Sequence, residues 1–314
     1  MNLHQLRFAW EAARRNLNLT ETAKALHTSQ PGISKAILEL EEELGVDIFV
    51  RHGKRLKRVT EPGLDVLKSV EIILREVANL KRIGEEFSKQ DAGRLSIAAT
   101  HTQARYILPD AVAQLSKRLP KVKISLHQGT PEQVAQMLLD DTADIGIATE
   151  SLADVEELVT LPCYEWQHVI VMPHDHALAT VERPSLEQLA ELPLISYQAA
   201  FTGRKRIDQA FAQRRLTPNI VLEAIDSDVI KTYVRSGLGV GVVAEMAMAS
   251  EPPNGELISK PAAHLFGTNT TRVAFRRGAY LRSYVLTFAE LLSDRLSRHL
   301  IERAMNSSGD SYEL

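Results

Sequence analysis

The sequence predicts an α+β chain in three parts: a winged helix-turn-helix head, one long linker helix, and a body of two α/β lobes. Three observations carry this reading. Short helical patterns separated by tight turns fill the first 45 residues. An apolar stripe at heptad spacing runs through 62–89. Beyond residue 92, short apolar strands alternate with amphipathic helices. A chain of 314 residues is too long for one small core. Its 44% hydrophobic and 25% charged residues exclude wholesale disorder. The single cysteine, Cys163, excludes an intrachain disulfide and a cysteine-rich zinc site, and suits a reducing compartment. The start, Met1 to Arg7, lacks a basic-then-apolar leader. No stretch approaches the roughly 20 apolar residues that span a bilayer. A cytoplasmic protein with no membrane partner is expected.

Leu3, Leu6, Phe8, Ala9, Trp10, Ala12 and Ala13 set a helix over 3–15. Asn18-Leu19-Thr20-Glu21 opens a second, two-turn helix ending at Leu26, with Thr20 expected to cap the amides of Thr22 or Ala23. His27-Thr28-Ser29 breaks it. Gln30-Pro31-Gly32 starts a third helix, because a proline in the first turn loses no needed hydrogen bond. Ile33, Ile37, Leu40 and Leu44 form its stripe, and Gly45 ends it. Val46–Val50 predicts a strand, with its partner near Leu56–Val59 and Gly53 in the turn. That hairpin carries Arg51, Lys54, Arg55, Lys57 and Arg58, five fixed positive charges in eight residues. Residues 1–60 hold 10 Lys+Arg against 7 Asp+Glu; the remainder holds 27 against 33. A basic head on an acidic body suits a polyanion partner. A basic run by itself is more often a solvated loop. Turn spacing and basic wing together favour DNA binding over a plain three-helix bundle with a decorative hairpin.

In the linker, Val66, Val70, Ile73, Val77, Leu80, Gly84 and Phe87 follow one another at steps of four and three. This is a heptad seam, expected to pair with the same helix of a second chain; the alternative is packing on its own domain. In the body, strands are expected at Leu95–Ala99, Val122–His127, Asp144–Ala148, Trp166–Met172, Leu194–Tyr197, Ile220–Ala224, Val240–Val243 and Thr271–Phe275. Helices are expected at Ala104–Leu119, interrupted early by Pro109, and at Pro131–Asp140, Lys205–Arg215, Val229–Ser236 and Leu281–Arg303. The tail from Ser307 is expected to fray. Hinges near Leu161-Pro162 and Leu265–Thr268 divide the body. The expected domains are 1–60, 61–90 and 91–314, with lobe I over 94–161 and 268–303 and lobe II over 162–267.

Three strand-to-helix corners carry polar side chains: Thr100-His101-Thr102-Gln103, Thr149, and Phe201-Thr202-Gly203-Arg204. Free amides and the helix dipole suit such corners to small anions. In open α/β sheets, ligands bind at strand carboxyl ends. Each threonine alone is more often a helix cap than a ligand contact. Catalytic and metal signatures are missing: no His-Glu-x-x-His, Cys-x-x-Cys or Gly-x-Ser-x-Gly occurs, and no metal is expected. Gly237-Leu238-Gly239-Val240-Gly241 follows a helix, which makes a dinucleotide reading weak. His174 and His176 read as solvated, and Cys163 as inert.

The segment Thr28-Ser29-Gln30-Pro31-Gly32-Ile33-Ser34-Lys35 closely resembles the turn and recognition helix of LysR-type transcriptional regulators. Thr100–Tyr106, His127–Pro131, Leu161–Tyr164, Phe201–Arg204 and Asp228–Val234 narrow the likeness to the CysB/Cbl subgroup, over nearly the whole chain. The resemblance implies a two-lobed effector-binding domain like periplasmic binding proteins. It implies a cytoplasmic regulator of sulfur acquisition, commonly a homotetramer. No cofactor is implied; the effector would be a small anion such as sulfate, acetylserine or a related metabolite. Carried over from the subgroup, Thr100, Thr102, Gln103, Thr149 and Thr202 would hold the anion, and Trp166 would line the cleft. Ser196 stands where threonine is expected, and Ser227 where alanine is.

Expected DNA contacts follow from the same motif. Gln30, Ser34 and Lys35 would face base edges, Thr28 and Ser29 phosphate or base, and Arg51, Lys54 and Arg55 the backbone or minor groove. A dimer would read an inverted repeat in a promoter, with RNA polymerase as a further partner. Two rivals are a two-lobed solute-binding protein, which needs a leader and no DNA-binding head, and an enzyme, for which threonines and a glutamine are poor proton-transfer groups.

Overall fold

The computed structural model describes residues 1–53, 55–88, 92–249, 251–252 and 255–307, with the backbone alone at Glu150 and Thr202. The chain divides into two compact units, Met1–Ser88 and Lys89–Leu314.

The first unit runs α1 (Leu3–Arg14), α2 (Leu19–Ala25), α3 (Gln30–Leu44), β1 (Phe49–His52), β2 (Arg55–Val59) and α4 (Glu61–Ser88). A capping box at Asn2 and Gln5 starts α1. Asn18, not Thr20, caps α2, accepting from the amides of Thr20 and Glu21. Asn16 and Leu17 turn the chain through left-handed conformations, at φ 52° and 63°. Asn18 is therefore the extended residue that meets the helix start, and Thr20 already lies inside it. Ser29 caps α3 through the Gly32 amide, and Gly45 ends it at φ +71°.

β1 begins at Phe49 rather than Val46, for a local reason. The amides of Ile48 and Phe49 both donate to the buried Glu41 carboxylate, at 2.9 Å each. They are thereby taken out of the ladder that joins Phe49 to Val59 and His52 to Arg55. The head's core joins Leu6, Ala9, Ile33, Ile37, Leu40, Ile48 and Phe49 to Val70 of α4, with Val66, Leu67 and Leu74 packed beside it. This corrects the linker seam: Val66 and Val70 bury into their own head. Only its later part, including Leu80 at 68% and Phe87 at 74% exposure, faces outward.

The second unit opens with β3 (Ala92–Ala99), α5 (His101–Tyr106), α6 (Leu108–Arg118), β4 (Lys121–Gln128), α7 (Pro131–Leu139) and β5 (Ile145–Thr149). The long β6 (Leu158–Pro173) leads to α8 (Leu186–Ala190), β7 (Pro193–Tyr197), α9 (Thr202–Gln213), β8 (Asn219–Ala224), α10 (Ser227–Arg235) and β9 (Val240–Ala244). Then come β10 (Leu257–Pro261), α11 (Ala263–Phe266), β11 (Thr268–Arg276), α12 (Ser283–Leu292) and α13 (Arg298–Asn306). The strands order as β4-β3-β5-β11-β6-β9-β7-β8, with β10 also on β6. β3 lies parallel to β4 and β5, and β7 parallel to β8 and β9, while β6 and β11 run antiparallel between them. Each lobe is thus a sheet covered on both faces.

Several expected elements are corrected. The helix expected over 104–119 begins at His101 and breaks at Ile107, with Pro109 in the first turn of α6. The final helix is two, because Ser297 caps a new start through the Leu300 amide. The expected hinge at Leu161-Pro162 is unbroken strand. β6 absorbs Pro162 by a register shift, where Thr271 opposite Tyr164 gives way to Arg272 opposite Pro162. His176 is not merely solvated: its Nδ1 accepts the Leu178 amide at 3.1 Å. β10, α8 and α11 were not anticipated. Cys163 is buried, and burial pushes its thiol up to about 12.

Gly63 joins linker to head. A Cβ there would overlap the Ile48 carbonyl oxygen and lie 2.8 Å from Thr60 Oγ1. Thr60 accepts the Gly63 amide and donates to Asp47, so the backbone cannot yield without losing both bonds. Gly63→Ala should destabilise the first unit by about 1–3 kcal/mol in urea melts; an unchanged midpoint would mean that the junction is slack.

Candidate ligand pocket and DNA-contacting face

β3 ends at Ala99, and the chain turns at Thr100 into α5. Thr100 has the extended backbone of an N-cap (φ −71°, ψ 158°), yet its side chain caps nothing. Its hydroxyl therefore remains available, beside the first-turn amides that every helix start leaves without intrahelical partners. The end of β5 brings Thr149 alongside, since β3 pairs with β5 from Ile97 to Ala99. β6 supplies Trp166. These meet Pro131, Tyr197, Phe201 and Gly203 around a cavity of about 30 Å³ also lined by Thr102 and Gln103. Every lining residue is uncharged. A wider vestibule of about 780 Å³, shared through Pro131 and Phe201, carries Lys205, Arg206, Glu132 and Asp154.

The structure thus gathers Thr100, Thr102, Gln103, Thr149 and Trp166 at one pocket. Thr202 begins α9 beside it, and its side chain lies outside the described residues. Gln103 is 1% exposed and oriented by two partners: its carbonyl accepts from the Tyr164 hydroxyl, and its amide donates to Thr271 Oγ1 at 3.3 Å. One amide proton remains for a ligand. Tyr164 and Thr271 were missed as supports. Tyr197 was missed as a lining residue, although the strand-end rule that selects Thr149 selects it too. Tyr197 is buried, and its hydroxyl accepts the Ala244 amide at 2.9 Å.

Behind Trp166 sits His168, fully buried and ring-to-edge with Trp166 and Phe266 at 5.0 and 5.8 Å. Burial, and then the Arg206 charge, push its imidazolium down to about 3. The ring is neutral at physiological pH. Its Nδ1 meets Asn269 at 3.4 Å, and Nε2 faces Gly203, where a Cβ would lie 2.9 Å away.

On the head, Thr28, Ser29, Lys35 and Arg55 are exposed, and Gln30 and Ser34 half-buried, along the start of α3 and the wing. Arg51 differs from expectation. Its guanidinium turns back onto α3, 3.0 Å from Glu41 and 3.4 Å from Ser34 Oγ, because buried Glu41 needs a cation. Ser29 spends a lone pair on the Gly32 amide. Lys54 lies outside the described residues.

A winged helix-turn-helix with a two-lobed ligand pocket defines a ligand-responsive transcriptional regulator. Family models agree along the chain: residues 3–64 match "Bacterial regulatory helix-turn-helix protein, lysR family", and 88–297 match "LysR substrate binding domain". The chain belongs to the LysR family of transcriptional regulators. It is 59% identical to the HTH-type transcriptional regulator CysB of Burkholderia cenocepacia, over 100% of both chains. It is 50% identical to the regulator SsuR of the same organism, over 95% of this chain and 96% of that one. The solved cofactor-binding domain of the Cbl transcriptional regulator superposes with a TM-score of 0.65 at 46% identity, covering 69% of this chain and 95% of that one. Among the described residues, no helix is long and apolar enough to cross a membrane, and no His, Cys, Asp or Glu group is placed to hold a metal.

His168 fixes the sign of an acid effect. The folded state resists protonation down to about pH 3, whereas the unfolded chain takes up a proton near pH 6.5. Its contribution is therefore complete above pH 6.5. It is lost as pH falls from 6.5 towards 3, by up to about 1.4 kcal/mol per pH unit. His168→Gln should flatten the stability–pH curve between 6.5 and 4.5 in denaturant titrations. A slope equal to wild type would show that the imidazole protonates in place.

Proposed function

We propose that this LysR-family regulator governs genes of sulfur acquisition or organosulfur use in response to a small oxyanion held between the two lobes. The observation that carries the reading is the uncharged, donor-rich pocket at the β3–α5 corner. Preorganised hydroxyls, an amide and helix-start N–H groups stabilise an acceptor-only anion without a counter-ion. Thr100, Thr102, Gln103, Thr149 and Thr202 hold it, and Trp166 walls it in. Sulfate, acetylserine or a related metabolite fits this donor set. The relatives named CysB, SsuR and Cbl support the sulfur assignment.

The head would enter the major groove with Gln30, Ser34 and Lys35 at base edges and Thr28 and Ser29 at the helix start, while Lys54 and Arg55 neutralise phosphate. Arg51 would act by steadying α3. The domain division is 1–60, 61–90 and 91–314, with lobes over 94–161 and 268–303, and over 162–267. The outward part of the α4 seam would pair two chains over an inverted repeat, within a cytoplasmic dimer or tetramer that contacts RNA polymerase. The chain would act by binding rather than by catalysis.

Two measurements test this. Thr102→Val keeps shape and removes a hydroxyl; sulfate or acetylserine binding should weaken by roughly 1–3 kcal/mol in calorimetric titration. A wild-type isotherm would move the effector elsewhere. Arg55→Ala should weaken binding to operator and random duplexes alike, and lower the slope of log K against log salt by about one unit. An unaltered slope would take the wing off phosphate.

A further inference from the structure

Tyr106 stands on the first lobe and packs into the second. It closes α5, whose Ala104 lies in the first lobe's core. The Tyr106 ring packs instead against a cluster that holds Ile195, Tyr197, Ile230 and Val234, from β7 and α10. Its hydroxyl donates to Asp228 at 2.7 Å, and Arg105 reaches the same carboxylate at 3.2 Å. Lys231 Nζ lies over the ring, 5.6 Å from its centroid.

The second lobe builds the socket for this peg. Lys231 is 2% exposed. Its ammonium is held by Asp228 at 3.2 Å, Glu251 at 2.9 Å and the Ala247 carbonyl at 2.8 Å. A cation, a carboxylate and an apolar floor are thus assembled on one side, and Tyr106 enters from the other.

The same short helix carries the pocket. Thr102 and Tyr106 stand four residues apart, on one face of α5. Tyr197 and Phe201 line the pocket and also belong to the packing around Tyr106. Six residues of helix, about 9 Å long, move as one piece. A shift of Tyr106 in its socket is therefore a shift of Thr102 against the wall that Tyr197 and Phe201 make.

We infer that Tyr106 and Asp228 are positioning residues of the effector pocket: their hydrogen bond draws α5 onto the second lobe and sets the width of the site. Neither residue lines the pocket. Without the bond, fewer molecules hold the ligand-ready arrangement, and apparent affinity falls by that share. The effect on an anion rests on the oxyanion reading above; the effect on pocket width does not.

The test therefore has two arms, both on the full chain. Tyr106→Phe keeps the ring and deletes one oxygen. Asp228→Ala removes the acceptor and leaves Lys231 with Glu251 and the Ala247 carbonyl. In the first arm a Trp10→Phe background leaves Trp166, 5% exposed in the pocket wall, as the single indole. Its quenching by acrylamide, a neutral probe that does not compete for an anion site, should rise about twofold in Tyr106→Phe without any ligand. In the second arm, thermal shift is read against inorganic sulfate in the native-tryptophan protein, with chloride matching the ionic strength. Tyr106→Phe should weaken sulfate about fivefold, and should add nothing further in the Asp228→Ala background. A merely structural role would lower the melting temperature without sulfate and leave quenching and sulfate affinity as in wild type; that result overturns the inference. So does increased quenching with unaltered sulfate affinity, or equal losses with and without Asp228. Wild-type protein with no sulfate response would remove the oxyanion reading alone, and the quenching arm would still decide whether Tyr106 holds the pocket closed.

Discussion

Nine residue pairs join β6 to β11, from Gln167 opposite Thr268 to Leu158 opposite Arg276. The organisation of the sensor unit depends on this antiparallel ribbon. β6 then continues along β9 and β10 into the second lobe. Val169 and Val171 face one core there, and Ile170 and Met172 the other. A slip of one residue would exchange these faces. Both faces are buried, and the ribbon also positions Trp166 and, through Thr271, Gln103. Pocket geometry is therefore a consequence of strand register.

Polar groups inside such a frame must be matched, and the chain does this in contrasting ways. In the head, two amides and the Arg51 guanidinium surround the buried Glu41 carboxylate. That network fixes the wing against α3, and takes Arg51 out of the pool of free phosphate-binding cations. At the pocket no charge is used. Gln103 is held on one side by Tyr164 and on the other by Thr271, which spares a ligand the cost of orienting it. Neutral donors need no partner in the empty site, whereas a buried counter-ion would demand pairing there.

Much of this was readable from residue order. The helix starts at Pro31 and Pro131, the turn at Gly53 and the strand-end threonines obey local rules, and local rules are what a sequence displays. The linker seam shows the limit: periodicity identifies which residues of α4 are apolar, but not whether Val70 meets its own head or another chain. The break at Ile107 and the restart at Ser297 were hidden because apolar spacing continues across both. Arg51 counted as a basic wing residue until Glu41, ten positions earlier, proved to hold it. Tyr164 and Thr271 act across sheet partners, and pairing partners are absent from one-dimensional spacing.

The end of α5 contacts the second lobe. The helix that begins at the pocket finishes with Arg105 and Tyr106. The Tyr106 hydroxyl donates to Asp228 of α10 at 2.7 Å, and Arg105 pairs with the same carboxylate at 3.2 Å. Asp228 in turn neutralises Lys231, which is almost wholly buried and also meets Glu251 at 2.9 Å. If α5 moved, this carboxylate would lose Tyr106 and Arg105 and keep only Lys231 of its own helix. The pocket and the Asp228 contacts thus lie at the two ends of one helix. An occupant that sits equally well whether or not α5 is displaced would change nothing downstream, however tightly it binds; only its differential affinity for the two arrangements can be converted into a signal.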